Sequence, residues 1–217
     1  NVAVFGSGNG AAQFALCQAM DKLNLAGCCL GIGFWADQNT GKAGPVPAAL
    51  RDHASQLYDD IVHWRIETSP REALAAIAPG SLDLLFIDAC DLPEGELPPA
   101  EEWLRVLHRD GVIVVHGKLS VDGQNLSGGL PVISFPDEQG LVVLSLSDSP
   151  PARLRALQEA SDQGILPGEI GLFFRRLGQG HLAVARQTVT AEENRTLTST
   201  LSDLRRERDE ALTLGKE

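Results

Sequence analysis

The 217-residue sequence predicts an α/β fold: a doubly wound, mostly parallel sheet with helices on both faces, followed by a helical tail. Three observations predict it. Val2-Ala3-Val4-Phe5 runs straight into a glycine-rich turn, Gly6-Ser7-Gly8-Asn9-Gly10, and on into a helix-forming stretch. Leu82–Asp88 is almost unbroken in its apolar character, as strands buried on both faces are. Val112–His116 repeats that character after an intervening helical segment.

The remaining elements fall into place between these anchors. Gln13–Leu23 reads as a helix with Phe14, Cys17 and Leu25 on one side, and Cys28–Phe34 as the second strand. Residues 36–47 form a polar loop rich in Gly and Pro. Ala48–Tyr58 is a helix and Ile61–Ile66 a short strand. Ser69 caps the next helix, with Pro70 at its first position and Glu72 three residues on, and that helix ends near Ala78-Pro79-Gly80. Pro98–Leu107 is a helix, which His108-Arg109-Asp110-Gly111 turns into the strand Val112–His116. Val132–Phe135, Leu141–Leu146 and His181–Arg186 are later strands, and Pro151–Gln163 is a helix.

The organisation changes near Thr190. Residues 1–189 make the α/β domain, and 190–217 a charged helix. Leu197, Leu201, Leu204, Arg208 and Ala211 recur at alternating four- and three-residue spacings among Arg205, Arg206, Glu207, Asp209 and Glu210. Such a seam begins a coiled coil or linker that mediates self-association or leads to a following domain; a helix folded back on its own domain has the same pattern. The chain opens directly in a strand at Asn1, so an initial helix is expected to be missing from it.

Composition excludes some functions. The net charge of −11 argues against nucleic acid as the partner, because phosphate neutralisation needs clustered Lys and Arg. No apolar run reaches the ~18 residues of a membrane span, and no signal peptide is expected. Cys17, Cys28, Cys29 and Cys90 form no Cys-x-x-Cys pair; they read as buried free thiols in a reducing, cytoplasmic setting.

The glycine turn admits two ligand classes. Dinucleotide sites favour G-x-G-x-x-G with an acidic residue ending the second strand. Gly6, Gly8 and Gly10 follow the tighter G-x-G-x-G spacing, which fits an S-adenosylmethionine (SAM) site better. With Ser81–Asp88, then Glu101-Glu102-Trp103-Leu104, then Leu107–His116, the chain resembles class I SAM-dependent methyltransferases. It most resembles a bacterial branch often attached to glycan-modifying enzymes. Gly33-Phe34-Trp35 and the first helix, Phe14–Gln18, belong to the same resemblance, which covers about residues 2–117.

The resemblance implies a fold of the class I methyltransferase type and SAM as cofactor. It implies that Gly6, Ser7, Gly8, Asn9 and Gly10 cradle the methionine end, with Trp35 beside the adenosine. Asp88 then sits at the reacting centre, and His116 takes a proton from an acceptor hydroxyl on a small molecule or glycan. A divalent metal such as Mg²⁺ would fall to Asp88 and Asp91, with Glu94 near.

The departures from that pattern are systematic. Val4 stands where an acidic residue precedes the turn, and Gly33 where a carboxylate holds the ribose. Phe86, Asp91, Pro93 and Gly117 replace a His, a His, an aromatic residue and an Asp. Each charge-assisted hydrogen bond to the ribose contributes about 1.5–3 kcal/mol, so losing that carboxylate weakens SAM by about ten- to a hundredfold.

Every candidate also has a structural reading. The glycines serve the turn whether or not a ligand binds. Asp91, Glu94 and Glu96 read equally as a solvated acidic loop, and His116 as a strand-end histidine. Trp64 and Trp103 read as core; His53, His63, His108 and His181 show no ligand spacing. Two functions therefore stand side by side: an O-directed methyltransferase, and a degenerate methyltransferase fold serving as a structural or interaction module.

Overall fold

The structure is a computed structural model of the chain. It describes residues 1–35, 43–67, 69–92, 98–117, 130–135 and 140–165; beyond these it describes 168, 171–173, 175–180, 183, 187, 190 and 194–202. Two compact units divide it, Asn1–Pro167 and Gly168–Glu217.

The first unit is built on a seven-stranded sheet. Its strands are β1 (Val2–Phe5), β2 (Cys29–Gly33), β3 (Val62–Ile66), β4 (Leu82–Asp88), β5 (Leu107–His116), β6 (Val132–Phe135) and β7 (Leu141–Ser145). Spatial order is β3-β2-β1-β4-β5-β7-β6. The pairs β1–β2, β1–β4, β2–β3 and β4–β5 are parallel; β7 runs antiparallel to both β5 and β6. The helices are α1 (Ala11–Lys22), α2 (Ala48–Leu57), α3 (Pro70–Ala75), α4 (Ala100–Arg105) and α5 (Ala152–Asp162). This is the doubly wound, mostly parallel α/β sheet that the sequence predicts.

Strand alternation distributes side chains between two cores. Ala3 and Phe5 of β1 pack with Leu74 and Ile77 and with Trp103 and Val106, on the side of α3 and α4. Val4 points the other way, into a core with Cys17 and Met20 of α1, Cys29 and Ala54. Val4 is wholly buried there, which explains an apolar residue where the resemblance calls for an acid: an ionised carboxylate in that core would need a partner. Phe86 packs against the same core in place of the expected His.

Trp103 anchors the opposite face. It is 1 % exposed, meets Phe5 edge-on at 4.8 Å, and donates its indole N–H to Pro98 O at 2.9 Å. Trp64 is half-buried on β3. The cap of α3 forms as the sequence predicts, with Ser69 Oγ accepting from Glu72 N at 3.3 Å.

Several expectations are corrected. The inward face of α1 is Gln13, Cys17 and Met20, while Leu25 lies past the helix and is exposed. Gln13 is buried, and its amide nitrogen donates to Cys29 O at 3.0 Å, tying helix to strand. The turn expected over His108–Gly111 lies within β5: Leu82 faces Leu107, but Leu84 already faces Val112. The extra residues loop out between two paired ends, closed locally by Asp110 N donating to His108 Nδ1 at 3.3 Å. Of the strand expected at His181–Arg186 only Ala183 is described, and it is helical.

Cys17, Cys28, Cys29 and Cys90 are free thiols. Cys17 and Cys29 are buried, and their mutual hydrogen bond together with burial pushes the Cys29 thiol far up, so it stays protonated. Cys28 is half-buried; Cys90, expected to be buried, is exposed. It lies just past the end of β4, where the chain leaves the sheet. In the second unit the described residues 171–173, 175–180 and 194–202 are helical, with Leu197 and Leu201 exposed. Leu204, Arg208 and Ala211 lie outside the described residues, as do the loop residues 36–42 and Glu94 and Glu96. No helix among the described residues is long and apolar enough to cross a membrane.

Candidate active site

The C-terminal ends of β1, β2, β4 and β5 open onto one edge of the sheet, where parallel α/β folds place their sites. The turn after β1 crosses this edge. Gly6, Gly8 and Gly10 all adopt positive φ, at 77°, 35° and 81°. These values are why the turn is glycine at alternate positions.

Backbone hydrogen bonds fix the turn to its neighbour. Gly6 N and Ser7 N both donate to Ile32 O of β2, at 3.1 and 3.2 Å. Ser7 is 3 % exposed and its hydroxyl donates to the same carbonyl at 3.3 Å. Ser7 therefore faces inward and holds the turn in place. Asn9 Oδ1 accepts from Ala11 N at 3.0 Å and starts α1.

Asp88 ends β4 and His116 ends β5, and they are direct register partners. His116 Nδ1 stands 3.2 Å from Asp88 Oδ1, with both side chains partly buried. Cys90 N donates to the same Oδ1 at 3.2 Å, and Ala89 N to His116 O at 2.8 Å. A carboxylate only accepts, so the neutral imidazole that makes this bond carries its proton on Nδ1. Nε2 is then left with its lone pair.

Asp91 and Trp35 close over the turn. A Cβ built on Gly8 would lie 1.8 Å from Asp91 Oδ2, so the Asp91 side chain rests directly on that glycine. Burial against the turn, and then the Asp88 carboxylate beside it, push the Asp91 carboxyl up from its ordinary value; His116 pulls it partly back. Trp35 lies over Gly33 in the same way, with a Cβ there only 2.1 Å from its ring. Its indole N–H donates to Gly8 O at 3.3 Å. Gly33 is thus glycine because the indole occupies the place of any side chain.

Residues 3–117 match a family model described as a methyltransferase domain, just over half of the chain. The chain belongs to this methyltransferase family. Similar solved structures include a spermidine synthase from Thermotoga maritima, at 16% identity and a TM-score of 0.47 over 74% of this methyltransferase domain chain and 63% of that one. A probable spermidine synthase from Corynebacterium glutamicum gives 15%, 0.45, 72% and 60% in the same order. A SAM dependent methyltransferase from Aquifex aeolicus gives 14%, 0.42, 66% and 79%. The methyltransferase chain thus spans under two thirds of the length of these two synthases. No curated protein matches it.

The family implies SAM, and the site can be tested for it. At the turn it fits: glycine at positions 6 and 8 keeps the backbone free of Cβ atoms, and the groups now above Gly8 belong to the tip of the Asp91 side chain. At the ribose end the carboxylate expected on β2 is missing, and Gly33 leaves no room for one beneath Trp35.

Of the residues singled out from the sequence, Gly6, Gly8, Asp88, Asp91, His116 and Trp35 converge on this edge. Gly10 faces α1 and α2 instead; a Cβ there would meet Phe14 and Leu50 at 2.7 and 2.8 Å. Cys90 joins Asp88 and His116 here, and its one mark in the sequence is its place two residues after the strand-end Asp.

Proposed function

We propose that this domain is a SAM-dependent methyltransferase acting on a hydroxyl group of a small molecule or glycan. The observation that carries the reading is the Asp88–His116 pair beside the glycine turn. A strand-end histidine without a partner is equally a structural one; a histidine held through Nδ1 by a carboxylate has its free nitrogen oriented for proton transfer.

SAM, when bound, supplies an electrophilic methyl group. Gly6 and Gly8 would hold its methionine end and Trp35 would border its adenosine. His116 would take the acceptor's proton at Nε2, and Asp88 would stabilise the imidazolium that results. General-base assistance of this type contributes about 10²–10⁴-fold. Alignment of acceptor and methyl group supplies the rest. Without a carboxylate at Gly33, and with Asp91 and Trp35 to be moved aside, binding is expected to be weak.

A second reading draws on those same two side chains. Asp91 over Gly8 and Trp35 over Gly33 fill the cradle from within, as a domain retained for structure or interaction would. In that reading residues 190–217 lead to self-association or a further domain, and the exposed Leu197 and Leu201 form part of the contact. Thermal unfolding with SAM, S-adenosylhomocysteine and ATP separates the readings. Saturable stabilisation by the two sulfur nucleosides beyond that of ATP supports the enzyme. No shift at millimolar ligand supports the module, which further requires that deleting 190–217 change the mass measured by light scattering.

A further inference from the structure

We infer that Asp88, Cys90 and His116 form a binding site for a divalent ion of the zinc class, and that this loaded state and the proton-accepting state of His116 exclude each other. One donor atom from each of the three side chains lies within 4.8 Å of the other two. The site is assembled by the sheet rather than by a flexible loop. Asp88 and His116 are paired ends of adjacent parallel strands, and the turn carrying Cys90 is pinned by Ala89 N donating to His116 O and Cys90 N donating to Asp88 Oδ1.

Gly117 completes the arrangement. Its φ is +100°, and a Cβ there would lie 2.8 Å from Cys90 Sγ. The thiol therefore packs over a residue that any larger side chain would turn into an obstruction. Cys90 is exposed, which gives an ion a path of entry from solvent.

The donor set decides the class of ion. Mg²⁺ takes oxygen ligands in octahedral array and has little use for a thiolate or an imidazole. Carboxylate, thiolate and imidazole together suit Zn²⁺ or Co²⁺ in tetrahedral geometry, where three protein ligands leave one position open. Metal–ligand bonds of about 2.0–2.3 Å place tetrahedral ligands about 3.3–3.7 Å apart. Asp88 Oδ1 and His116 Nδ1, 3.2 Å apart, already lie near that range. Asp91, on the next residue, adds negative charge around the site. Binding releases the thiol proton to solvent.

The consequence for chemistry follows from shared atoms. The His116 imidazole and the Asp88 carboxylate form the hydrogen-bonded pair, and both side chains are in the ligand set. A neutral imidazole has one lone pair, and whichever ring nitrogen binds the ion uses it. The ion thus acts as a switch on the site. This exclusion rests on the reading of His116 as proton acceptor; the metal site itself does not.

The test is titration of the reduced, metal-free full chain with Co²⁺. One equivalent should bind with tetrahedral d–d bands and a thiolate-to-cobalt charge-transfer band, both removed by Zn²⁺. Cys90→Ala should lose the charge-transfer band and weaken Co²⁺ by about tenfold or more, whereas Cys28→Ser should keep both. Asp88→Asn should retain the charge-transfer band with weaker binding, which covers the case that Cys90→Ala fails to fold. Absence of Co²⁺ uptake, or a charge-transfer band that survives Cys90→Ala, overturns the site. S-adenosylhomocysteine binding is followed separately on the metal-free protein. Co²⁺ uptake without nucleoside binding keeps the site and removes only the exclusion.

Discussion

His116 Nδ1 and Asp88 Oδ1 stand 3.2 Å apart across the β4–β5 pairing, at the sheet edge that also carries the glycine turn. Parallel pairing brings together two residues separated by 28 positions in sequence and holds them by backbone geometry. If this pair accepts the proton, His116→Ala lowers kcat by about 10²–10⁴-fold and leaves S-adenosylhomocysteine affinity within about twofold. Asp88→Asn gives a smaller loss of kcat, since the amide still orients the ring but does not stabilise the imidazolium. Single-turnover kinetics with SAM, paired with equilibrium binding, checks both.

Trp35 over Gly33 gives a less intuitive expectation. Gly33→Asp restores the carboxylate that the resemblance calls for, yet the new Cβ would lie within 2.4 Å of three ring atoms. The indole must leave and give up its bond to Gly8 O. The variant is expected to be about 1–3 kcal/mol less stable in urea unfolding, with a red-shifted tryptophan emission as the ring enters water.

Asp91 makes a prediction about charge. Its carboxyl is pushed up by burial against the turn and by Asp88. A carboxylic acid whose pKa is raised on folding destabilises the folded protein once it ionises. Below the ordinary carboxylate pKa both states are protonated and the effect vanishes; it is complete once pH has risen past the raised folded value. Asp91→Asn is therefore expected to raise the melting temperature at neutral pH, with the difference closing as pH falls. The side chain is substantially exposed, so the gain is small.

Trp103 sets the scale for the core. With 1 % exposure, an edge contact to Phe5 and an indole bond to Pro98 O, its replacement by Ala leaves a cavity on the α3–α4 face. The expected cost is about 3–5 kcal/mol by denaturant titration.

The central strands were legible in the sequence because they are largely apolar on both faces. Leu82–Asp88 and Val132–Phe135 begin and end where the residue pattern places them. The cap at Ser69 was legible because its chemistry is local. The His108–Gly111 bulge was not, since Gly and Asp signal a turn whether or not the flanking residues pair with β4. Gln13 in the core was equally hidden: its amide nitrogen finds a carbonyl of β2, sixteen residues away. At the site, Gly6, Gly8, Asp88 and His116 were marked by their places at strand ends. Cys90 and the packing of Trp35 on Gly33 depend on three-dimensional closeness that no spacing rule reports. Val4 and Gly33 look like losses in the sequence; in the fold one is a core residue and the other makes room for an indole.

On the proposed function, the glycine turn still binds a sulfur nucleoside. Calorimetric titration of S-adenosylhomocysteine into the metal-free full chain tests it most directly, with Gly8→Val as the control, since a side chain there would be driven into Asp91. The expected result is a saturable heat with one site per chain and weak affinity, abolished in a Gly8→Val protein that remains folded by circular dichroism. A flat titration at millimolar ligand, or equal heats from the two proteins, would contradict it.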